Sequence, residues 1–206
     1  MSELAAHWDE AYASGQTACS WFEERPEFSL RMLDSAGISS ADAVIDVGGG
    51  ASPLAGALLD RGFRDITVLD ISTAGMVHAQ CSLGSRASEV HWLTADVLTW
   101  QPDRRYDVWH DRALFHFLTT AGQQRQYLRT LAAATGPTAI AVFGCFAPDG
   151  PEKCSGLPVA RYSSPELAGR LGDGWTLIGQ DREEHITPAC SVQPFTWTAL
   201  RKASDS

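Results

Sequence analysis

The chain has little positive charge and no long apolar run. Its 206 residues include 16 Lys and Arg against 25 Asp and Glu, which gives a formal net charge of −9. This balance argues against a protein that coats nucleic acid or an anionic membrane. Its longest apolar runs reach about 7 residues, far short of the ~20 that span a bilayer. We therefore expect neither a membrane partner nor a nucleic-acid substrate.

Cysteine is sparse and scattered. None of the five cysteines forms a Cys-x-x-Cys pair, so the pattern is not typical of a zinc site or a disulfide framework. The first ten residues are polar and acidic, unlike a secretory signal. These features predict a cytoplasmic protein with reduced thiols and no metal.

Short apolar runs alternate with helical patterns along most of the chain. This alternation predicts an α/β fold in one domain, residues 1–206, with helices on both faces of a Rossmann-like, mostly parallel sheet. No helical pattern separates the last two strands, so the last strand should be antiparallel. The seven predicted strands are 44–47, 66–69, 90–93, 106–109, 138–143, 175–180 and 195–200, and the main predicted helices are 53–61, 72–83, 121–134 and 164–171.

Two segments exceed what such a sheet needs. Residues 1–25 precede the first strands, and residues 145–163 form a long connection rich in Pro and Gly. Connections of this length are often lids or binding loops. We expect residues 1–25 to cover a cofactor or substrate and residues 145–163 to act as a substrate lid.

The ends of the first two predicted strands carry a glycine turn and an acid. Ligands of open α/β sheets bind beyond the carboxyl ends of the strands. The glycines at 48–50 allow close approach of the backbone to a ligand. Asp70 follows 20 residues after Gly50, a position that suits hydrogen bonds to two ribose hydroxyls. The alternative is that Asp70 caps the next helix.

The glycine turn differs from the dinucleotide fingerprint. Pro53 stands where the third glycine of Gly-x-Gly-x-x-Gly belongs, and no tyrosine is followed four residues later by lysine. An NAD(P)-dependent oxidoreductase is therefore only the alternative. A cofactor-binding protein without catalysis is a second one.

Three segments together resemble a known superfamily. The sequence VIDVGGG at 44–50 resembles motif I of class I S-adenosylmethionine-dependent methyltransferases, VLDIS at 68–72 resembles motif II, and TADV at 94–97 resembles motif III. The antiparallel last strand also matches. The resemblance implies S-adenosylmethionine as cofactor and in-line methyl transfer to a small molecule or a protein side chain.

The resemblance also implies roles for individual residues. Asp46 and Gly48 would hold the amino acid end of the cofactor, with Gly50 permitting close approach, and Asp70 would bind the ribose. Near the adenine, Asp96 would accept from the amino group and the Val97 backbone N–H would donate. The apolar side chains of Ile71 and Met76 would flank the ring.

A looser resemblance connects the chain to the branch of elongation-factor and citrate-synthase lysine methyltransferases. WDEAY at 8–12 and WF at 21–22 resemble its N-terminal segment, and DRAL at 111–114 resembles its D-K-G-T segment, with Arg112 in place of Lys and Ala113 in place of Gly. The aromatic residues Trp8, Tyr12 and Trp21 would close the methionine end, or else simply pack on the sheet edge.

A base is needed only if the acceptor arrives protonated. The candidates after the fourth strand are His110, Asp111 and His116, and His110 could also contact the cofactor. His116 could equally be a core histidine, and His185 a solvated loop residue. Cys145 and Cys154 would suit a soft-metal acceptor or simply be buried thiols. The pattern leaves the acceptor atom and the oligomeric state open.

Overall fold

The computed structural model describes residues 3–13 and 19–204. These residues include nine strands. They are β1 (Val44–Val47), β2 (Ile66–Asp70), β3 (His91–Thr94), β4 (Tyr106–Arg112), β5 (Thr135–Phe146), β6 (Lys153–Cys154), β7 (Leu157–Pro158), β8 (Trp175–Ile186) and β9 (Val192–Lys202). Seven of them form one sheet in the order β3-β2-β1-β4-β5-β9-β8, and β6 pairs with β7 in a separate hairpin.

The predicted α/β fold is confirmed. β1 to β5 are parallel to one another, whereas β9 is antiparallel to both β5 and β8. Every residue of β1 and β2 is buried, as expected for strands that helices cover on both faces.

Six α-helices of the described ranges accompany the sheet: α1 (Glu3–Ala13), α2 (Glu27–Ala36), α3 (Leu54–Asp60), α4 (Thr73–Leu83), α5 (Ala121–Ala134) and α6 (Ser164–Leu171). α5 has the predicted bounds, and Ser72 caps α4 by accepting from the Gly75 N–H at 3.0 Å. α6 also has the predicted bounds, and its N-cap is Ser163, which forms a capping box with Glu166. No helix in this part of the chain is long and apolar enough to cross a membrane.

Apolar side chains form one core on each face of the sheet. Consecutive residues alternate between the cores, so that Val108 packs with α2 and α3 whereas Trp109 packs with α5 and α6. The sheet is therefore a rigid support for the residues at the carboxyl ends of β1, β2 and β4.

Several strands are longer than predicted. β4 continues through Arg112, and β8 and β9 extend until only residues 187–191 separate them. Most of the loop that the predicted strands 175–180 and 195–200 leave between them is therefore strand, and the interpretation of His185 as a loop residue was wrong, since it lies in β8. The reason is that the polar stretch of β8 pairs residue by residue with β9, for example Glu183 with Phe195, while much of this strand at the end of the sheet order is exposed. Such a strand needs no apolar run.

Candidate active site

A cavity of about 290 Å³ opens at the carboxyl ends of the parallel strands. Strand ends form its floor, and residues of the N-terminal segment and of the β6–β7 hairpin form its walls. The structure brings most of the predicted cofactor residues together here. Those lining the cavity are Trp8, Tyr12, Trp21, Gly48, Asp70, Ile71, Asp96 and Val97.

The glycine turn follows β1 and packs against α1. Gly50 has φ +41°, and a methyl group there would collide with the Tyr12 hydroxyl. Gly48 has φ +72°, and a Cβ there would lie 2.7 Å from Leu114 Cδ1. Because side chains fit poorly in this left-handed backbone conformation and have no space here, the turn needs glycine to remain close to Tyr12 and to any ligand.

Asp70 is buried at the end of β2. Its Oδ1 accepts a hydrogen bond from the Ser72 N–H at 2.7 Å, and burial raises the pKa of its carboxyl to about 6. The side-chain cap of α4 is Ser72, which weakens the alternative that Asp70 is the helix cap. Asp70 also lines the cavity and can accept hydrogen bonds there.

Asp96 and Val97 follow β3 and line the cavity. Asp96 Oδ1 accepts from the Leu98 N–H at 2.8 Å, which fixes the orientation of its carboxylate. Met76 differs from this pair. It is 4% exposed, belongs to the core between α4 and the sheet, and does not line the cavity, so the structure does not bring it to the site as predicted.

A smaller cleft of about 50 Å³ adjoins the cavity on the other side of the glycine turn. Asp46 and Arg112 both line it. Asp46 is 2% exposed, and its Oδ1 lies 2.7 Å from His110 Nδ1. Its Oδ2 has no hydrogen-bond partner among the described residues, and neither has Arg112 Nε. A buried acceptor and a buried donor are therefore both free at this cleft.

The N-terminal aromatic residues form a wall over the cavity. Trp8 packs edge-on against Phe117 at 4.9 Å between ring centroids and against Trp21 at 5.7 Å. Asp9, which the sequence interpretation did not single out, anchors α1 to α4, because its Oδ1 accepts from Ser72 Oγ at 2.7 Å and from the Ala74 N–H at 3.0 Å. The sequence feature that could have identified Asp9 is an acidic residue next to Trp8. Such a carboxylate can accept hydrogen bonds at the N-terminus of a helix such as α4.

The three predicted bases do not reach the cavity. His110 is 1% exposed, and its Nε2 lies 3.0 Å from Ser29 Oγ. Asp111 is fully buried and accepts from the Leu114 and Phe115 N–H groups and from the Tyr127 hydroxyl. Burial raises the pKa of Asp111 to about 6. Because these two residues lie within β4 rather than after it, their side chains are buried against the sheet.

His116 is buried in an aromatic environment. Its Nδ1 accepts from the Phe146 N–H at 3.3 Å, and its ring lies 4.7 Å from that of Phe146. Burial lowers its pKa to about 3, so the imidazole is neutral at physiological pH. The geometry favours the core-histidine alternative over a base.

A charged cluster that the sequence interpretation missed lies behind the N-terminal cover. Arg112 Nη2 lies 3.6 Å from Glu23 and 4.0 Å from Glu183, and His185 Nε2 is 2.9 Å from the Ser20 carbonyl oxygen. Burial raises the pKa of Glu23. Burial also raises that of Glu183, but the hydrogen bond with His185 and the charge of Arg112 outweigh it and lower the pKa overall. Only tertiary structure brings these distant residues together.

The two cysteines of the long connection are not side by side in the site. Cys154 lines the cavity, whereas Cys145 is buried in the core. Burial raises the pKa of Cys154 to about 11 and that of Cys145 well above its ordinary value, so neither is a thiolate at neutral pH. Among the described residues, no group of three or more His, Cys, Asp or Glu could hold a metal ion. This arrangement does not favour a soft-metal site.

Comparison with known proteins decides between the alternatives for this sheet. Residues 44–138, which carry the glycine turn and the acids of β2 and β3, match the family model described as a methyltransferase domain. The match supports the predicted resemblance to the class I S-adenosylmethionine-dependent methyltransferases. It favours a methyltransferase over the NAD(P)-dependent alternative. No curated protein sequence matches the methyltransferase.

Solved structures show the same fold. The N-methyltransferase NodS from Bradyrhizobium japonicum WM9, in complex with S-adenosylhomocysteine, matches with a TM-score of 0.73 at 16% identity, covering 98% of this chain and 99% of that one. The 1,6-didemethyltoxoflavin-N1-methyltransferase of Burkholderia thailandensis, with bound 1,6-didemethyltoxoflavin and S-adenosylhomocysteine, matches with a TM-score of 0.67 at 20% identity, covering 98% and 90%. A putative methyltransferase of Haloferax volcanii, in complex with Trm112, reaches 0.76 at 16% identity, covering 99% of both chains.

Proposed function

We propose that this methyltransferase methylates a small, largely apolar molecule that carries a nucleophile with a free lone pair. The observation that carries the proposal is the continuity of the main cavity. It runs from Asp70 and Asp96 at the strand ends to a wall formed by Trp8, Trp21 and Phe117. One end thus suits an adenosyl group and the other a flat apolar acceptor.

The residues present fit S-adenosylmethionine. Asp70 would accept from the ribose hydroxyls, Asp96 would accept from the adenine amino group, and the Val97 N–H would donate. In the adjoining cleft, the free Oδ2 of Asp46 matches an ammonium group and the free Nε of Arg112 matches a carboxylate. When bound, the cofactor supplies an electrophilic methyl group on a sulfonium.

The acceptor end of the cavity contains few ionisable groups. Its lining includes Ala113, Leu114, Phe117, Leu157 and Pro158, and these side chains exclude water and hold an apolar acceptor in place. The ionisable lining groups nearby, within the described ranges, are Arg112 and the protonated thiol of Cys154.

This composition bears on the choice of acceptor. Among the described residues, no base of suitable pKa lines the acceptor end, so a lysine ammonium would have to lose its proton elsewhere, and the charge of Arg112 opposes its approach. A neutral heteroaromatic nitrogen has a lone pair available without a base. Methyl transfer to a protein side chain is therefore the competing outcome of a labelling experiment.

We also propose roles for the two long segments. Helix α1 would cover the cofactor through Trp8 and Tyr12, and the 145–163 connection would cover the acceptor through the β6–β7 hairpin. Both contribute to the cavity lining. Part of the predicted N-terminal cover, residues 1–2 and 14–18, lies outside the described residues.

Two experiments test the proposal. Titration calorimetry should show binding of S-adenosylmethionine and S-adenosylhomocysteine but not of NAD(P), and Asp70→Ala should weaken adenosyl binding by about tenfold or more, whereas the exposed control Asp173→Asn should not. Labelled methyl transfer to a lysate should place the label in the small-molecule fraction. Label found in protein would overturn the acceptor class, and no adenosyl binding would overturn the proposal itself.

A further inference from the structure

Three buried polar side chains form a hydrogen-bonded chain beneath the smaller cleft. Ser29 Oγ lies 3.0 Å from His110 Nε2, and His110 Nδ1 lies 2.7 Å from Asp46 Oδ1. All three residues are at most 2% exposed. Asp46 and His110 are directly paired residues of β1 and β4, so the sheet register itself places them side by side, and α2 supplies Ser29.

The hydrogen bond between His110 and Asp46 has a direction that follows from its chemistry. A carboxylate oxygen can only accept, so His110 Nδ1 donates to Asp46. The Ser29 hydroxyl can either donate to Nε2 or accept from it, so this contact holds whether or not Nε2 carries a hydrogen. The hydrogen-bonded chain thus fixes the orientation of His110, and His110 fixes one oxygen of Asp46.

The hydrogen-bonded chain ends at the other carboxylate oxygen of Asp46. Oδ2 is buried, has no hydrogen-bond partner among the described residues, and belongs to a side chain that lines the cleft. A buried carboxylate oxygen without a partner costs folding free energy, which a ligand donor can recover. The arrangement therefore holds one free acceptor at a cleft of about 50 Å³, which can admit the end of a ligand.

The order Ser-His-Asp also occurs in hydrolases, but the geometry excludes that use here. Neither Ser29 nor His110 lines the main cavity or the clefts beside it, so the hydroxyl has no access to a substrate. His110 instead packs against Trp197, with ring centroids 6.1 Å apart. Charged groups also surround this hydrogen-bonded chain of side chains. Glu23 and Asp111 lie near His110, and Asp70 lies near Asp46.

We propose that Ser29 and His110 are positioning residues, which hold Asp46 so that its free oxygen binds the ammonium group at the amino acid end of S-adenosylmethionine. The inference rests on the proposed function for the site of that ammonium, and it assigns His110 a role through Asp46 rather than a contact with the reacting atoms. Such supporting partners are often as necessary as the group they orient.

The test compares two ligands that differ at this end only. S-adenosylhomocysteine has the amino acid group, and 5′-methylthioadenosine has none. His110→Leu should weaken S-adenosylhomocysteine binding by about tenfold, the equivalent of one charge-assisted hydrogen bond, and 5′-methylthioadenosine binding by less than about twofold. Ser29→Ala should show the same selectivity at a few-fold loss.

Two further variants separate positioning from general destabilisation. His110→Asn retains a donor near the position of Nδ1, so it should restore most of the S-adenosylhomocysteine affinity, and it keeps the test usable if the leucine variant fails to fold. Ser164→Ala removes a similarly buried hydroxyl that donates to the Trp197 carbonyl oxygen at 3.2 Å, away from the cleft. It should leave the ratio of the two affinities unchanged.

Equal losses for the two ligands in His110→Leu and Ser29→Ala would overturn the inference and indicate a structural role only. If the wild-type protein binds both ligands and the variants lose affinity for both equally, only the inference fails and the proposed function stands. Failure of the wild-type protein to bind either ligand would instead overturn the proposed function, and the inference with it.

Discussion

Arg112 donates a hydrogen bond from Nη1 to the backbone carbonyl of Trp21 at 2.9 Å. The bond connects the last residue of β4 to the N-terminal cover, 91 positions earlier in the chain. Because Trp21 in turn packs against Trp8 and Tyr12, one guanidinium holds the sheet and the aromatic wall together.

Replacement of Arg112 should therefore loosen the wall. Arg112→Ala leaves the Trp21 carbonyl without its donor and places Glu23 and Glu183 near each other without a cation, so we expect faster amide exchange at residues 19–23. We also expect about a tenfold rise in KM for S-adenosylmethionine. The control is Arg104→Ala, which removes a partly exposed ion pair with Asp65 and a cation–π contact with Tyr106, none of them cavity-lining residues. Unchanged exchange and KM in Arg112→Ala would contradict the anchoring role.

Gly50 should tolerate no side chain. Gly50→Ala would place a methyl group against the Tyr12 hydroxyl in a left-handed backbone conformation, so we expect α1 to be displaced and adenosyl affinity to fall by at least about tenfold. Gly169 is the matched control. It lies in α6, where an added methyl group would meet no atom within 4 Å, and alanine there should raise stability by up to about 1 kcal/mol. Calorimetry and thermal unfolding measure both, and an adenosyl affinity of Gly50→Ala equal to the wild type would refute the steric argument.

The raised pKa of Asp70 predicts opposite pH effects on stability and on binding. The carboxyl titrates near pH 6 in the folded protein and near 3.9 in the unfolded chain. Between these values the folded state retains the proton, so the contribution of Asp70 to the free energy of unfolding should fall as pH rises from about 4 to about 6. Adenosyl affinity should rise over the same window, because the ionised carboxylate is the better acceptor for ribose hydroxyls.

Asp111 has a similarly raised pKa and adds a stability slope of the same sign, whereas the lowered pKa of His116 adds a slope of the opposite sign. The contribution of Asp70 is therefore the difference between wild type and Asp70→Asn, measured by denaturant unfolding and by calorimetry across this range. Identical pH profiles for the two proteins would show that Asp70 does not titrate there.

Tyr127 tests whether Asp111 supports the fold or takes part in catalysis. The Tyr127 hydroxyl donates to Asp111 and accepts from Trp109 Nε1 at 2.8 Å. Tyr127→Phe removes this hydroxyl from both partners in the core, so we expect a loss of about 1–3 kcal/mol of stability and a nearly unchanged kcat in the folded fraction. A kcat reduced by two orders of magnitude at wild-type stability would instead support a catalytic Asp111.

The sequence predicts the cofactor end of this molecule better than the acceptor end. Gly48, Asp70 and Asp96 each follow a short apolar run, so their place at the sheet edge can be deduced from the chain order. His110 and Asp111 require the length of β4, which no apolar pattern marks, because the strand continues through polar residues whose partners come from β1 and α5. Arg112, Glu23 and His185 come from three distant segments, and only the folded chain brings them together.

The position of β9 has a consequence for how the chain is made. β9 lies between β5 and β8 and, among the described strands, is the only partner of β8 in the sheet. During synthesis, therefore, β5 presents an unpaired apolar edge until residues 192–202 have left the ribosome, and β8 has nothing to pair with. Unpaired edges of this kind invite association with other chains. β9, which is translated after all the other strands of this sheet, thus completes it, and a nascent chain arrested before β9 should be more aggregation-prone than one that includes it.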